Sequence, residues 1–216
     1  MLKGAIFDMD GTLLDTEKIY QKYWVLVADE MGYERRPNLG GDISGATGDR
    51  AVAIFKKHYP DGDWETYMHK VMEHVEADEQ IEIEVKIGVK ELLEYFTANG
   101  VKMAVASSCP VEIIERNLTT AGLINYFSAL VGGDLIVNGK PGPDIFLLAS
   151  AKLGLAPANC YGFEDSFNGV RSTAAAGNFA IMVPDVREPD DEIRRIAGAV
   201  YPDMTAVKQA VERGEI

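Results

Sequence analysis

The feature that most constrains this chain is its first apolar run, Ala5-Ile6-Phe7, and what ends it: Asp8-Met9-Asp10-Gly11-Thr12-Leu13-Leu14-Asp15-Thr16. An apolar run with no polar alternation suits a strand buried on both faces of a parallel sheet, and Asp8 then stands where the strand ends. Ligands of open α/β sheets bind outside that edge. Residues two apart in an extended chain point the same way, so Asp8 and Asp10 can serve one centre while Met9 faces the other side. Gly11 lets the backbone turn away, and Thr12 can hydrogen-bond locally or to a bound anion. Two carboxylates on one edge repel each other unless a shared proton or a cation relieves them. Mg²⁺ takes oxygen ligands, commonly one or two carboxylates plus substrate phosphate. By themselves these residues are equally a strand end followed by an Asp-Gly turn, so the remaining chain has to decide.

After Thr16, a candidate N-cap, Ile19, Tyr20, Tyr23, Trp24, Val27 and Met31 fall at helical spacing, and Gly32 stands where such a helix would stop. The aromatic stripe reads as core packing. Residues 38–48, rich in glycine, read as a loop, and helices are expected over Arg50–His58 and Trp64–Glu76 around the turn Pro60-Asp61-Gly62-Asp63. Residues 81–87 alternate in polarity and suit either a strand or an extended linker. From Gly88 onward short apolar runs alternate with helical segments. Strands are expected at Val101–Ala106, Ala129–Val131, Cys160–Phe163 and Phe179–Val183. Helices are expected at Val89–Asn99, Val111–Ala121, Ile145–Leu153, Gly169–Ala176 and Thr205–Arg213. Such alternation implies an α/β fold with a doubly wound parallel sheet. Residues 1–15 and 87–216 would form this α/β core, and 16–86 an inserted helical domain with hinge linkers.

The formal charge of −13 and a pI of about 4.7 argue against non-specific binding to nucleic acid or an anionic membrane. That charge is equally awkward for phosphate ligands unless lysine or metal overrides it locally, which again points to a metal. Cys109 and Cys160 are too few for a disulfide framework and read as reduced, buried thiols. The amino terminus lacks a signal-peptide pattern, and no apolar run reaches the roughly eighteen residues of a membrane span. A cytoplasmic protein follows as the default, with a monomer as the default state.

Several of the expected strand ends carry reactive side chains. Asp8 and Asp10 follow the first strand, Ser107 the second and Glu164-Asp165 a later one, while Lys140 lies in a Pro-rich loop. Asp8 and Asp165 could hold Mg²⁺, Ser107 could donate to a phosphoryl oxygen, and Lys140 could neutralise charge on a transferring group. Phosphoryl transfer asks for in-line positioning and charge stabilisation, which a metal, a lysine and a hydroxyl supply. Aspartate is a reasonable nucleophile, because an aspartyl-phosphate splits one hard displacement into two easier ones. Each residue also has a duller account: a solvated lysine, or Ser108, Cys109 or Ser166 capping a helix. Their joint occurrence at strand ends favours the site.

Four segments then resemble, in order, the motifs of the haloacid dehalogenase-like superfamily. They are Asp8-Met9-Asp10-Gly11-Thr12-Leu13-Leu14-Asp15-Thr16, Ala106-Ser107-Ser108, Gly139-Lys140-Pro141-Gly142-Pro143-Asp144-Ile145-Phe146 and Gly162-Phe163-Glu164-Asp165-Ser166-Phe167-Asn168-Gly169. The helical insertion resembles the small cap of the branch containing β-phosphoglucomutase and many sugar-phosphate phosphatases. The resemblance implies Asp8 as nucleophile and Asp10 as general acid/base. It implies Thr12, Ser107, Ser108 and Lys140 as phosphate-binding residues. The metal ligands would be Asp8, Asp165 with Glu164 assisting, and Asp10 through its backbone carbonyl.

The resemblance also orders the possible reactions. Asp10 favours phosphoryl transfer over dehalogenation, since dehalogenases of the superfamily lack that second aspartate and need no metal. β-Phosphoglucomutase has a histidine where this chain has Tyr20 and an arginine where it has Gly48, although Arg50 lies two residues on. A phosphonate hydrolase would need a cap lysine, and residues 38–48 contain none. Tyr20, Gly45, Thr47, Arg50 and Asn168 are the candidates for touching substrate. The expectation is therefore a Mg²⁺-dependent phosphatase of a small phosphate ester, a sugar or polyol phosphate. A phosphosugar mutase is the first alternative, and a non-catalytic binding protein on the same fold the second.

Overall fold

A computed structural model describes residues 1–36, 38–43, 48–78 and 83–216. The chain opens with β1 (Gly4–Phe7) and passes through α1 (Glu17–Glu30), α2 (Leu39–Ile43), α3 (Gly48–His58) and α4 (Trp64–Ala77). It continues with α5 (Val89–Ala98), β2 (Lys102–Ala106), α6 (Val111–Thr120), β3 (Ala129–Val131), α7 (Asp144–Leu153) and β4 (Cys160–Glu164). It closes with α8 (Phe167–Ala175), β5 (Phe179–Met182), α9 (Asp191–Ile196), β6 (Ala199–Val200) and α10 (Met204–Glu212). Two compact units result: Met1–Leu14 with Ile83–Ile216, and Asp15–Glu82.

In the α/β unit the six strands pair in parallel in the order β3-β2-β1-β4-β5-β6. The sheet is the expected doubly wound one. Successive crossovers run one way from β1 to β3, and the later strands lie on the other side, so the connections reverse direction between β1 and β4. A crevice opens at such a reversal, outside the carboxyl ends of the strands. All four residues of β1 are buried, as a central strand requires. Phe7 stacks on Phe163 of β4 with ring centroids 4.5 Å apart, and Phe96 of α5 packs against both rings. Met9 joins this core, so it faces away from its two aspartate neighbours.

The helical unit is held by aromatic side chains. Tyr23, Trp24, Phe55, Tyr59 and Tyr67 are buried together, and the Tyr67 hydroxyl donates to the Trp24 carbonyl. The α1 stripe is therefore core, as its spacing implies. Asp63 caps α4 by accepting from the Thr66 amide at 3.2 Å.

Several local expectations are corrected. The segment 38–48 is not all loop: Leu39–Ile43 is a helical turn anchored by buried Leu39 and Ile43. Thr16 sits at the start of α1 but makes no side-chain cap bond. Of the two readings of 81–87, the described residues 83–87 fit the linker and not the strand, and a single antiparallel bridge joins Leu14 to Val85. Neither Ser108 nor Cys109 caps α6, whose Val111 amide is taken by Asp134 at 3.1 Å from the loop after β3. Helix α9 and the short β6 have no counterpart in the sequence reading. Cys109 is half-buried rather than buried, while Cys160 is buried, and both are free thiols. Among the described residues no helix is long and apolar enough to cross a membrane.

Candidate active site

β1 ends at Phe7, and the Asp8 amide completes the register by donating to the Phe163 carbonyl at 2.9 Å. This carries Asp8 to the sheet edge beside the end of β4, where Glu164 is the last strand residue and Asp165 the next. All three carboxylates are buried, and each offers an oxygen within 4.8 Å of the others. Lys140 comes from the loop before α7. Its Nζ lies 2.5 Å from Asp8 Oδ1, 2.6 Å from Glu164 Oε1 and 3.0 Å from the Ala106 carbonyl at the end of β2.

One ammonium thus faces three carboxylates in a low-dielectric setting. Burial pushes the Asp8 carboxyl up to about 8; Lys140 opposes the rise and Glu164 and Asp10 add to it. Asp165 is also raised well above the usual carboxylate range, by burial and then by the charges of Glu164, Asp8 and Asp185. Burial alone would lower the Lys140 ammonium, yet the adjoining Asp8 and Glu164 charges carry it above its ordinary value. Surplus negative charge of this kind is relieved by a proton or by a hard cation.

The donor set fits Mg²⁺, which prefers carboxylate oxygen and tolerates few protein ligands. A second sign is Asp185 Oδ2, a buried carboxylate oxygen that no donor among the described residues reaches. Asp8, Glu164 and Asp165 are the side chains that could hold the ion. Glu164 is kept in place by Ser166, whose amide and hydroxyl donate to Oε2 at 3.3 and 3.1 Å. Ser166 also caps α8, since its Oγ accepts from the Gly169 amide at 3.1 Å. Gly169 leaves room for this carboxylate: a Cβ there would lie 1.8 Å from the Glu164 carboxyl carbon, so a larger residue would displace it.

Asp10 lies on the half-buried rim. Ser107 Oγ donates to its Oδ2 at 3.4 Å, and Cys109 Sγ does the same at 3.4 Å. Ser107 is itself buried and accepts from the Cys109 amide at 3.1 Å, so the turn after β2 is folded around that hydroxyl. Thr12 is buried and donates to Asp165 Oδ1 at 3.1 Å, which makes it a support for that carboxylate here. Ser108 is half-buried on the same turn.

The structure thus brings Asp8, Asp10, Thr12, Ser107, Lys140, Glu164 and Asp165 to one sheet edge. Asn168 is buried in the first turn of α8, where Arg171 Nη1 reaches its Oδ1 at 3.5 Å. Tyr20 packs against the aromatic core of the helical unit, and Arg50 is exposed on α3. Gly45 and Thr47 lie outside the described residues. The sequence reading missed two members. Cys109 reads in the sequence as a buried thiol, although it follows the serines of the β2 edge. Asp185 lies just past β5, and the same strand-end rule that found the others would have found it.

The haloacid dehalogenase-like hydrolase family matches residues 5–183 of the chain. The phosphorylated carbohydrates phosphatase of Thermotoga maritima is 32% identical over 177 residues, 82% of each chain. Hexitol phosphatase B of Escherichia coli O157:H7 is 31% identical over 208 residues, covering 94% of this chain and 92% of that one. Among solved structures, β-phosphoglucomutase from Clostridium difficile shares the fold, with a TM-score of 0.79 at 23% identity, covering 100% of this chain and 97% of that one.

Proposed function

The chain belongs to the haloacid dehalogenase-like hydrolases, and from that premise we propose that it is a Mg²⁺-dependent phosphatase of small phosphorylated metabolites, sugar or polyol phosphates. The observation that carries the reading is the burial of Asp8 between the Lys140 ammonium and the carboxylates of Glu164 and Asp165. Support also comes from relatives that bear the names of carbohydrate and hexitol phosphatases.

In this reading an Asp8 carboxylate oxygen attacks phosphorus, and the ester oxygen departs with a proton from Asp10. The Asp8 phosphoryl anhydride is then opened by water, whose proton returns to Asp10, so one residue acts as acid and then as base. The attack needs Asp8 ionised, which Lys140 favours and burial opposes. Ser107 and Ser108, on the turn after β2, donate to the phosphoryl oxygens, and Lys140 offsets charge on the transferring group. Mg²⁺ would be held by Asp8 and Asp165, with Glu164 assisting and the Asp10 carbonyl as a further ligand, and would draw charge from the phosphoryl oxygens.

The test is phosphate release from a panel of sugar, polyol and nucleoside monophosphates. Wild type with Mg²⁺ should turn over at least one class and chelator should stop it. Asp8→Asn should lose on the order of 10³-fold or more while keeping its thermal unfolding transition. Retained turnover in Asp8→Asn would sink the mechanism.

A further inference from the structure

Asp185 follows β5 by way of Val183 and Pro184, at the same edge of the sheet as Asp8 and Asp165. Its Oδ1 accepts from Lys86 Nζ at 2.5 Å, and the two side chains are 16% and 23% exposed. Lys86 is fixed in turn by its own backbone, whose amide donates to the Leu13 carbonyl at 3.0 Å beside the Leu14–Val85 bridge.

The other oxygen has no such partner. Asp185 Oδ2 is buried without a donor among the described residues, an arrangement that native proteins seldom leave uncompensated. Its direction is given by Gly11, whose φ is +80: a Cβ there would lie 3.2 Å from Asp185 Oδ2 and 2.6 Å from Asp165 Oδ2. The orphan oxygen and Asp165 Oδ2 therefore both border the space beside Gly11, while Asp185 stands outside the mutually close set formed by Asp8, Glu164 and Asp165. Its negative charge is among those that raise the Asp165 proton affinity. An ion pair with Lys86 alone would not require the second oxygen to turn inward toward another carboxylate.

Mg²⁺ gives up its hydration water reluctantly and keeps several water ligands that need acceptors. We propose that Asp185 is a positioning residue of the metal site, its Oδ2 accepting a hydrogen bond from a water ligand of the ion while Lys86 holds Oδ1. This rests on the reading of Asp8 and Asp165 as metal ligands.

The test uses Mn²⁺ as a probe of the Mg²⁺ site, with free ion followed by electron paramagnetic resonance in wild type, Asp185→Leu, Asp185→Asn, Lys86→Met and Asp165→Asn. Asp185→Leu should weaken Mn²⁺ binding by about tenfold or more. Asp185→Asn keeps an acceptor oxygen and should recover part of that loss, and Lys86→Met, which leaves the carboxylate, should bind at least as well as wild type. Unchanged Kd in both Asp185 variants overturns the proposal. Equal losses for Leu and Asn overturn it too, because then only net charge acts. If Asp185→Leu does not unfold cooperatively in chelator, the isosteric Asp185→Asn decides, several-fold weaker binding supporting the role and wild-type binding ending it. Failure of wild type to bind Mn²⁺, or unchanged binding in Asp165→Asn, overturns the metal reading and this inference with it. Loss in Asp165→Asn with no loss at Asp185 overturns this inference alone.

Discussion

Lys140 Nζ lies 2.5 Å from Asp8 Oδ1, and both side chains are almost wholly withdrawn from solvent, 4% and 9% exposed. The same ammonium touches Glu164 at 2.6 Å. It is therefore the one cation among the described residues shown touching both Asp8 and Glu164, and its position fixes how much negative charge the sheet edge can carry.

Lys140→Met should show this directly. Removing the cation from a buried pair strands its partners, at a cost of about 3–5 kcal/mol near neutral pH. The loss should grow above about pH 8, where Asp8 sheds its proton in the metal-free protein beside Lys140, and activity should vanish even where the variant remains folded. Denaturant unfolding in chelator at pH 6 and pH 9 measures the stability loss and phosphate release measures the activity; equal stability to wild type at pH 9 would contradict the charge account.

Gly169→Ala tests the packing beneath Glu164. The added methyl would overlap the Glu164 carboxyl, whose carbon and oxygens lie 1.8 to 2.0 Å from the ideal Cβ position. Overpacking against a buried, bonded group costs typically about 1–3 kcal/mol, so a lower Tm and weaker Mg²⁺ binding should appear together. A variant with unchanged Tm and Mg²⁺ affinity would show that Glu164 is free to move.

The carboxylate cluster also predicts a pH dependence. Asp8 has a proton affinity raised from 3.8 to about 8 in the metal-free protein, so the native state retains protons that the unfolded chain has released. Stability from this source is complete below pH 3.8 and falls as pH rises toward 8. Mg²⁺ favours the ionised forms, so its stabilising effect should grow with pH. Thermal scans with chelator and with Mg²⁺ between pH 5 and 8.5 should diverge as pH rises; a constant difference would place the cation elsewhere.

Much of this arrangement was legible in the sequence, for an identifiable reason. Strands buried on both faces appear as short apolar runs, and in a parallel sheet the residues after them meet at one edge. That logic linked Asp8, Ser107, Glu164 and Asp165 across long separations. Helix α2 was hidden because Gly40 and Gly41 carry no periodicity, and only Leu39 and Ile43 anchor the turn. Helix α9 had its signals, an Asp190 cap and arginines in the last turn, but buries Ile193 alone. Asp185, just past β5, obeys the same strand-end logic, and only the placement of its Oδ2 beside Gly11 needed the tertiary structure. Thr12 was expected to bind phosphate, and only the tertiary structure reveals its bond to Asp165.

The most direct measurement of the central claim is phosphorus NMR of the protein with Mg²⁺ and sugar or polyol monophosphates, with and without a trace of sugar bisphosphate. The account predicts inorganic phosphate accumulating without bisphosphate and no signal change for Asp8→Asn. Phosphoryl migration between positions of one sugar, only when bisphosphate is present, would make the protein a mutase and contradict it.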